Sequence, residues 1–68
     1  MTKAEAYIKA VAIADLLLAR GLPVIQVEAP FGDEVVFRFG GDRAQQIHAS
    51  ATDATFESVR DAYERGPP

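Results

Sequence analysis

The tripeptide Gly21-Leu22-Pro23 divides this chain into two stretches that obey different rules. Before it, Thr2 to Arg20 contains no Gly or Pro and is dominated by Ala, Leu, Lys and Glu, all favourable in a helix. At it, Gly21 suits the left-handed position just past a helix end. Leu22 is the apolar residue that packs back, and Pro23 prevents continuation. At the other end, Thr2 with Glu5 three residues later makes a capping-box pattern. Glu5 and Lys9 have the spacing of a favourable i,i+4 pair.

Beyond Pro23 the periodicity changes from that of a helix to that of strands. Val24 to Ala29 places Ile25 and Val27 on one face and Gln26 and Glu28 on the other. Glu34 to Phe39 alternates more cleanly, with Val35, Phe37 and Phe39 against Glu34, Val36 and Arg38. "PFGD" between them supplies a proline and a glycine for a tight reversal, so an antiparallel hairpin is expected. Gln45 to Ser50 reads either as a third strand with Ile47 and Ala49 inward, or as a short helix capped by Asp42. The strand reading is preferred because a two-stranded hairpin is a poor platform. A second helix follows, capped by Thr52 or Asp53, with Phe56, Val59 and Tyr63 at helical spacing and Asp61 and Arg65 at i,i+4. Gly66-Pro67-Pro68 stops it.

The expected architecture is therefore α+β, in the order α-β-β-(β)-α, with both helices on one face of an antiparallel sheet. One domain over 1–66 with a frayed tail at 67–68 is the expected organisation. The expected core is Tyr7, Val11, Leu18, Leu22, Ile25, Val27, Val35, Phe37, Phe39, Ile47, Phe56, Val59 and Tyr63.

Size limits what holds such a domain together. With 68 residues it lies near the lower limit for a single core, where disulfides, metals or association usually help. The chain has no cysteine and one histidine, which excludes disulfides, thiolate zinc sites and multi-histidine metal sites. No cofactor is expected. Association remains, and the first helix offers a means. On a helical wheel Ala4, Tyr7, Val11, Ala14 and Leu18 form one stripe, the natural partner of the sheet. Ile13, Leu16 and Leu17 fall on a second face, mixed with Ala6 and Ala10, whose small side chains permit close helix approach. Burying each large aliphatic contributes roughly 1.5–3 kcal/mol, a large share of a small domain's stability. A homodimer through Ile13, Leu16, Leu17, Ala10 and Ala6 is the expectation. The alternative is that the second helix packs across this side.

Chemistry is poorly supported. Net charge is −3, and the seven basic residues are scattered rather than gathered into a phosphate-binding stripe, so no nucleic acid is expected. Glu5 lies ahead of the apolar run from Ala10 to Ala19 and Asp15 interrupts it, so the run reads as a structural helix of a cytoplasmic protein rather than a signal peptide or membrane span. His48 points to the Gln46 side of its strand, with Arg38, Glu28 and Gln26 as expected neighbours, and nothing frames it with Ser50 as a catalytic unit. Asp33, Glu34 and Asp42 fit turns better than a cation site. Gly40-Gly41 lacks the phosphate-loop frame. Phe31 at the hairpin turn either folds back onto the core or anchors a partner. The outer sheet face, with Gln26, Arg38, Gln46 and His48, is either a recognition surface or simply solvated.

The order α-β-β-β-α resembles that of double-stranded RNA-binding domains. That family carries a basic cluster at the start of its last helix to reach phosphates. Here that place reads "TDATFESV", which is acidic, so no RNA-binding residue is carried over. The functional expectation is a non-enzymatic module that binds protein and self-associates. Alternatives are a phage or mobile-element inhibitor that binds a host protein, and a degenerate RNA-binding-like fold that no longer binds RNA.

Overall fold

The computed structural model describes residues 1–66, and the tail at 67–68 lies outside the described residues. The elements are α1 (Lys3–Ala19), β1 (Val24–Phe31), β2 (Glu34–Phe39), a single 3-10 turn (Gly41–Arg43), β3 (Gln45–Ser50) and α2 (Phe56–Arg65). The three strands form one antiparallel sheet in the order β1-β2-β3, and the helices pack on one face of it. The ambiguous stretch from Gln45 to Ser50 is a strand.

Both ends of α1 are fixed by the residues that mark them in the sequence. The Glu5 amide donates to Thr2 Oγ1 at 3.1 Å and the Thr2 amide donates to Glu5 Oε1 at 2.8 Å, a complete capping box. At the far end the Leu22 amide donates to the Leu17 carbonyl and the Gly21 amide to that of Leu18. With Gly21 at φ +83°, this is a Schellman motif, a conformation that a side chain at position 21 would strain. α1 starts beside the hairpin turn, where Gly32 meets the Met1 carbonyl oxygen so closely that no Cβ would fit.

The strand α1 lies along is irregular. Val27 opposes Phe37 and Glu28 opposes Val36, but the register shifts between Val24 and Gln26 and again between Glu28 and Phe31. Each shift is a bulge with an extra residue on β1, and the second accommodates Pro30, which cannot donate to a ladder. The first bulge takes Ile25 out of line with Val27. Ile25 is exposed and lies against Gly40 rather than entering the core.

The core is built from Val35, Phe37 and Phe39 of β2, Ile47 of β3, and Val59 and Tyr63 of α2, all as expected from the sequence. Phe39 stacks on Tyr63 with ring centroids 4.3 Å apart. Leu22, Val27 and Phe56 pack against this cluster while partly exposed. The contribution of α1 differs from the expectation. Ala6, Ala10, Ile13, Ala14 and Leu17 are buried against the sheet, whereas Tyr7, Leu18 and Ala4 are exposed and Val11 is half-buried. Two phenylalanines already fill the layer from below, so the helix resting on them presents alanines, with Ile13 and Leu17 filling the remaining gaps. The face assigned to a dimer interface is thus the core face in Ala6, Ala10, Ile13 and Leu17. Only Leu16 of that set is exposed.

Other local expectations are corrected as well. α2 is capped by Thr55, in a reciprocal pair with Ser58, and not by Thr52 or Asp53. Those two residues lie in the turn after β3, where the Ala54 amide donates to the Ser50 carbonyl. Lys9 does not reach toward Glu5. Its Nζ donates to the carbonyls of Ala51 and Thr52 at 2.7 and 2.9 Å, tying α1 to that turn. Asp61 pairs with its neighbour Arg60 at 3.0 Å rather than with Arg65.

Candidate functional site

Exposed apolar side chains that gather into one contiguous patch, unlike single scattered ones, mark where a domain meets a partner. Tyr7 and Leu18 of α1 are each about half exposed, at 48% and 50%, and Ile25 of β1 is 65% exposed. They come together. Tyr7, Val11 and Leu18 from α1, with Val24, Ile25 and Val27 from β1, line one groove. Its geometry follows from the helix. At about 100° per residue, Tyr7, Val11 and Leu18 form a stripe about a quarter-turn from the buried Ala6-Ala10-Ile13-Leu17 stripe, and Ala14, itself buried, lies between the two. Lys9, on the opposite flank, points toward the turn before α2. The first stripe therefore points sideways, past β1 and away from α2. β1 is an edge strand, so the groove combines an apolar wall with a strand edge that no other strand covers.

The second edge is different. The hollow beside β3 is lined by Ala44, Ile47 and Ala62 together with Gln45, Gln46 and Arg65. Arg43 closes that end of the molecule, donating to the Tyr63 and Glu64 carbonyls and lying 4.9 Å from the Tyr63 ring. The two edges differ in one respect: large exposed apolar side chains, Tyr7, Leu18 and Ile25, stand at the β1 edge, and none of the large exposed apolar residues belongs to β3 or α2.

The outer sheet face carries the remaining candidates. Arg38 opposes Gln46, whose amide oxygen, turned toward it, accepts from Arg38 Nη2 at 2.8 Å. His48 opposes Val36, and its Nδ1 lies 3.5 Å from Glu34 Oε2, so its charged neighbour is Glu34 rather than the expected Arg38 or Glu28. Val36 faces outward yet is buried, flanked in register by Glu28 and His48. Ser50 Oγ accepts from the Asp53 amide at 3.4 Å and so serves the turn. Phe31 is 65% exposed beside Glu34 and His48 and does not fold onto the core. Among the described residues no three His, Asp or Glu side chains are grouped to hold a metal, and no helix is long and apolar enough to cross a membrane.

Among the described residues the one clear electrostatic perturbation is structural. The Thr2 backbone amide, then the Thr2 side chain, hold the Glu5 carboxyl below its ordinary value.

The groove was only half legible in the sequence. The Tyr7-Val11-Ala14-Leu18 stripe is real, but Tyr7, Val11 and Leu18 are lateral and only Ala14 is internal. The signal for this lay in β2, whose aromatic face leaves room for alanines and not for Tyr7. Protein-family models, curated proteins and solved structures yield no match to this chain.

Proposed function

We propose that this chain is a non-enzymatic protein-binding module of the cytoplasm, and that its binding surface is the groove between α1 and the edge of β1. The observation that carries the reading is the meeting of an exposed apolar helix stripe with an uncovered strand edge. Such an edge offers unpaired backbone donors and acceptors to an added strand. The stripe offers pockets for every second side chain of that strand, which is how strand addition combines affinity with specificity. The polar outer face, with its single histidine paired to Glu34, gives no comparable grouping of nucleophile, base and orienting residue.

The test uses a synthetic peptide of the β1 sequence, VIQVEAPF, added in excess while backbone amide resonances are followed. Shifts confined to Tyr7, Val11, Leu18 and the β1 amides support the reading, as does their loss in a folded Leu18→Glu variant. Groove amides unmoved both by the peptide and by a wide change in the chain's own concentration would overturn it.

A further inference from the structure

We infer that the occupant of the groove is a second copy of this chain, joined by antiparallel pairing of β1 with β1 about a two-fold axis at Val27. This rests on the reading of the groove as a protein-binding surface.

The lateral stripe of α1 has the spacing of a helix seam. Ala4, Tyr7, Val11, Ala14 and Leu18 recur at alternating steps of three and four residues, the a/d pattern by which helices pack on one another. A two-fold axis perpendicular to the sheet sets one α1 antiparallel to the other, with Tyr7 of each near Leu18 of its partner and Val11 and Ala14 at the centre. Spacing agrees. α1 rests on both β1 and β2. With strands about 4.8 Å apart, two helices so placed lie roughly 10 Å from each other across the axis, a normal packing distance.

Charge and register in β1 favour one self-pairing. Opposed residues in an antiparallel pair must share a face, which leaves registers centred on Gln26, Val27 or Glu28 in the regular stretch between the two bulges. Centring on Glu28 sets two carboxylates opposite each other, which is repulsive. Centring on Gln26 sets Val27 against Ile25, in the bulge. Centring on Val27 sets Gln26 opposite Glu28 twice, amide donor against carboxylate, and Val27 against Val27 beneath the helix seam. The same amide and carboxylate already meet within the chain, where Gln26 Nε2 donates to Glu28 Oε1 at 3.1 Å. β1 is thus complementary to itself in one register.

Size sets how much surface such a pairing must cover. A stable interface removes about 800 Å² from each partner, roughly a fifth of the 4138 Å² that this chain exposes. The seam, the β1 edge and Ile25 are the apolar surface from which that area is drawn. The product is a continuous six-stranded sheet with both β1 edges paired and only the β3 edges, which carry no large exposed apolar side chain, left outside.

The chain has no cysteine, so introduced thiols report the pairing cleanly. Val27→Cys should form a disulfide dimer on mild oxidation with diamide, because opposed residues lie about 4.5–5.5 Å apart, within disulfide reach. Ser50→Cys, on the β3 edge, should not. As a register check, chains carrying Gln26→Cys mixed with chains carrying Glu28→Cys should cross-link faster than either alone. Rapid cross-linking of Ser50→Cys with none of Val27→Cys would overturn the inference, as would a chain that stays monomeric with neither variant cross-linking. If the β1 peptide still binds the groove in that last case, the protein-binding reading survives and only the identity of the occupant fails.

Discussion

Leu17 and Leu18 are adjacent in the chain and opposite in surroundings, so replacing each by alanine separates the two faces of α1. Leu17 is fully buried beneath the helix, while Leu18 is half exposed on the groove wall. Truncating a buried leucine costs about 2–5 kcal/mol, lost transfer energy plus the cavity left behind. The alanines beside Leu17 and the rings of Phe37 and Phe39 leave little freedom to collapse into that cavity, so about 3 kcal/mol is a fair central figure. In a domain of this size each kcal/mol moves the midpoint by about 4–8 °C, so Leu17→Ala should lower Tm by roughly 12–24 °C. Leu18 has half of its surface in water already, and alanine is the better helix former. Leu18→Ala should therefore cost at most about 1 kcal/mol in the isolated chain. Thermal unfolding followed by far-UV circular dichroism at low protein concentration makes the comparison. At high concentration the wild type should gain Tm and Leu18→Ala should gain less, because association stabilises the folded state by mass action. Equal losses for the two variants in dilute solution would refute the assignment of faces.

Three further outcomes follow from local geometry. Thr55→Ala should cost about 1 kcal/mol because it removes the α2 cap, whereas Asp53→Ala should change stability by a few tenths, read by denaturant titration. Lys9→Met keeps the aliphatic stem but leaves two carbonyls of the β3–α2 turn without their donor. It should cost about 1–2 kcal/mol and raise hydrogen exchange of the Ala54 amide, which lies in the same turn. Glu5 has its folded value held below its ordinary one of 4.5, so its capping contribution is complete above that value and is lost as pH falls through the lowered one. Exchange protection at the α1 N-terminus should therefore decline only below the ordinary carboxylate range, and Glu5→Gln should flatten that dependence.

Most of the element order was legible in the sequence because it rests on local chemistry. The Thr2–Glu5 box, the Gly21-Leu22-Pro23 stop and the alternation of Glu34 to Phe39 are each sufficient within a few residues. What could not be read locally was which side of α1 faces the sheet. Ala, Ile and Leu occupy three of its sides, so the pattern alone does not choose. The choice is made by volume, since Phe37 and Phe39 demand small residues above them and send Tyr7 to the flank. The bulges in β1 were hidden for a similar reason. Ile25 and Val27 alternate in the sequence, but the extra residue beside Val24 breaks the correspondence in space. The late start of α2 reflects Ser50 and Asp53 being used by the turn before it. The α1–β1 groove is the sum of these non-local effects, which is why it emerges only from the folded chain.

The most direct test of the account is sedimentation equilibrium of the wild type beside Leu18→Glu, from micromolar to millimolar concentration. The account expects the wild-type mass to climb from 7.3 kDa toward twice that value, while the variant stays folded and at 7.3 kDa. A wild type that remains at 7.3 kDa throughout, or a Leu18→Glu chain that associates as the wild type does, would contradict it.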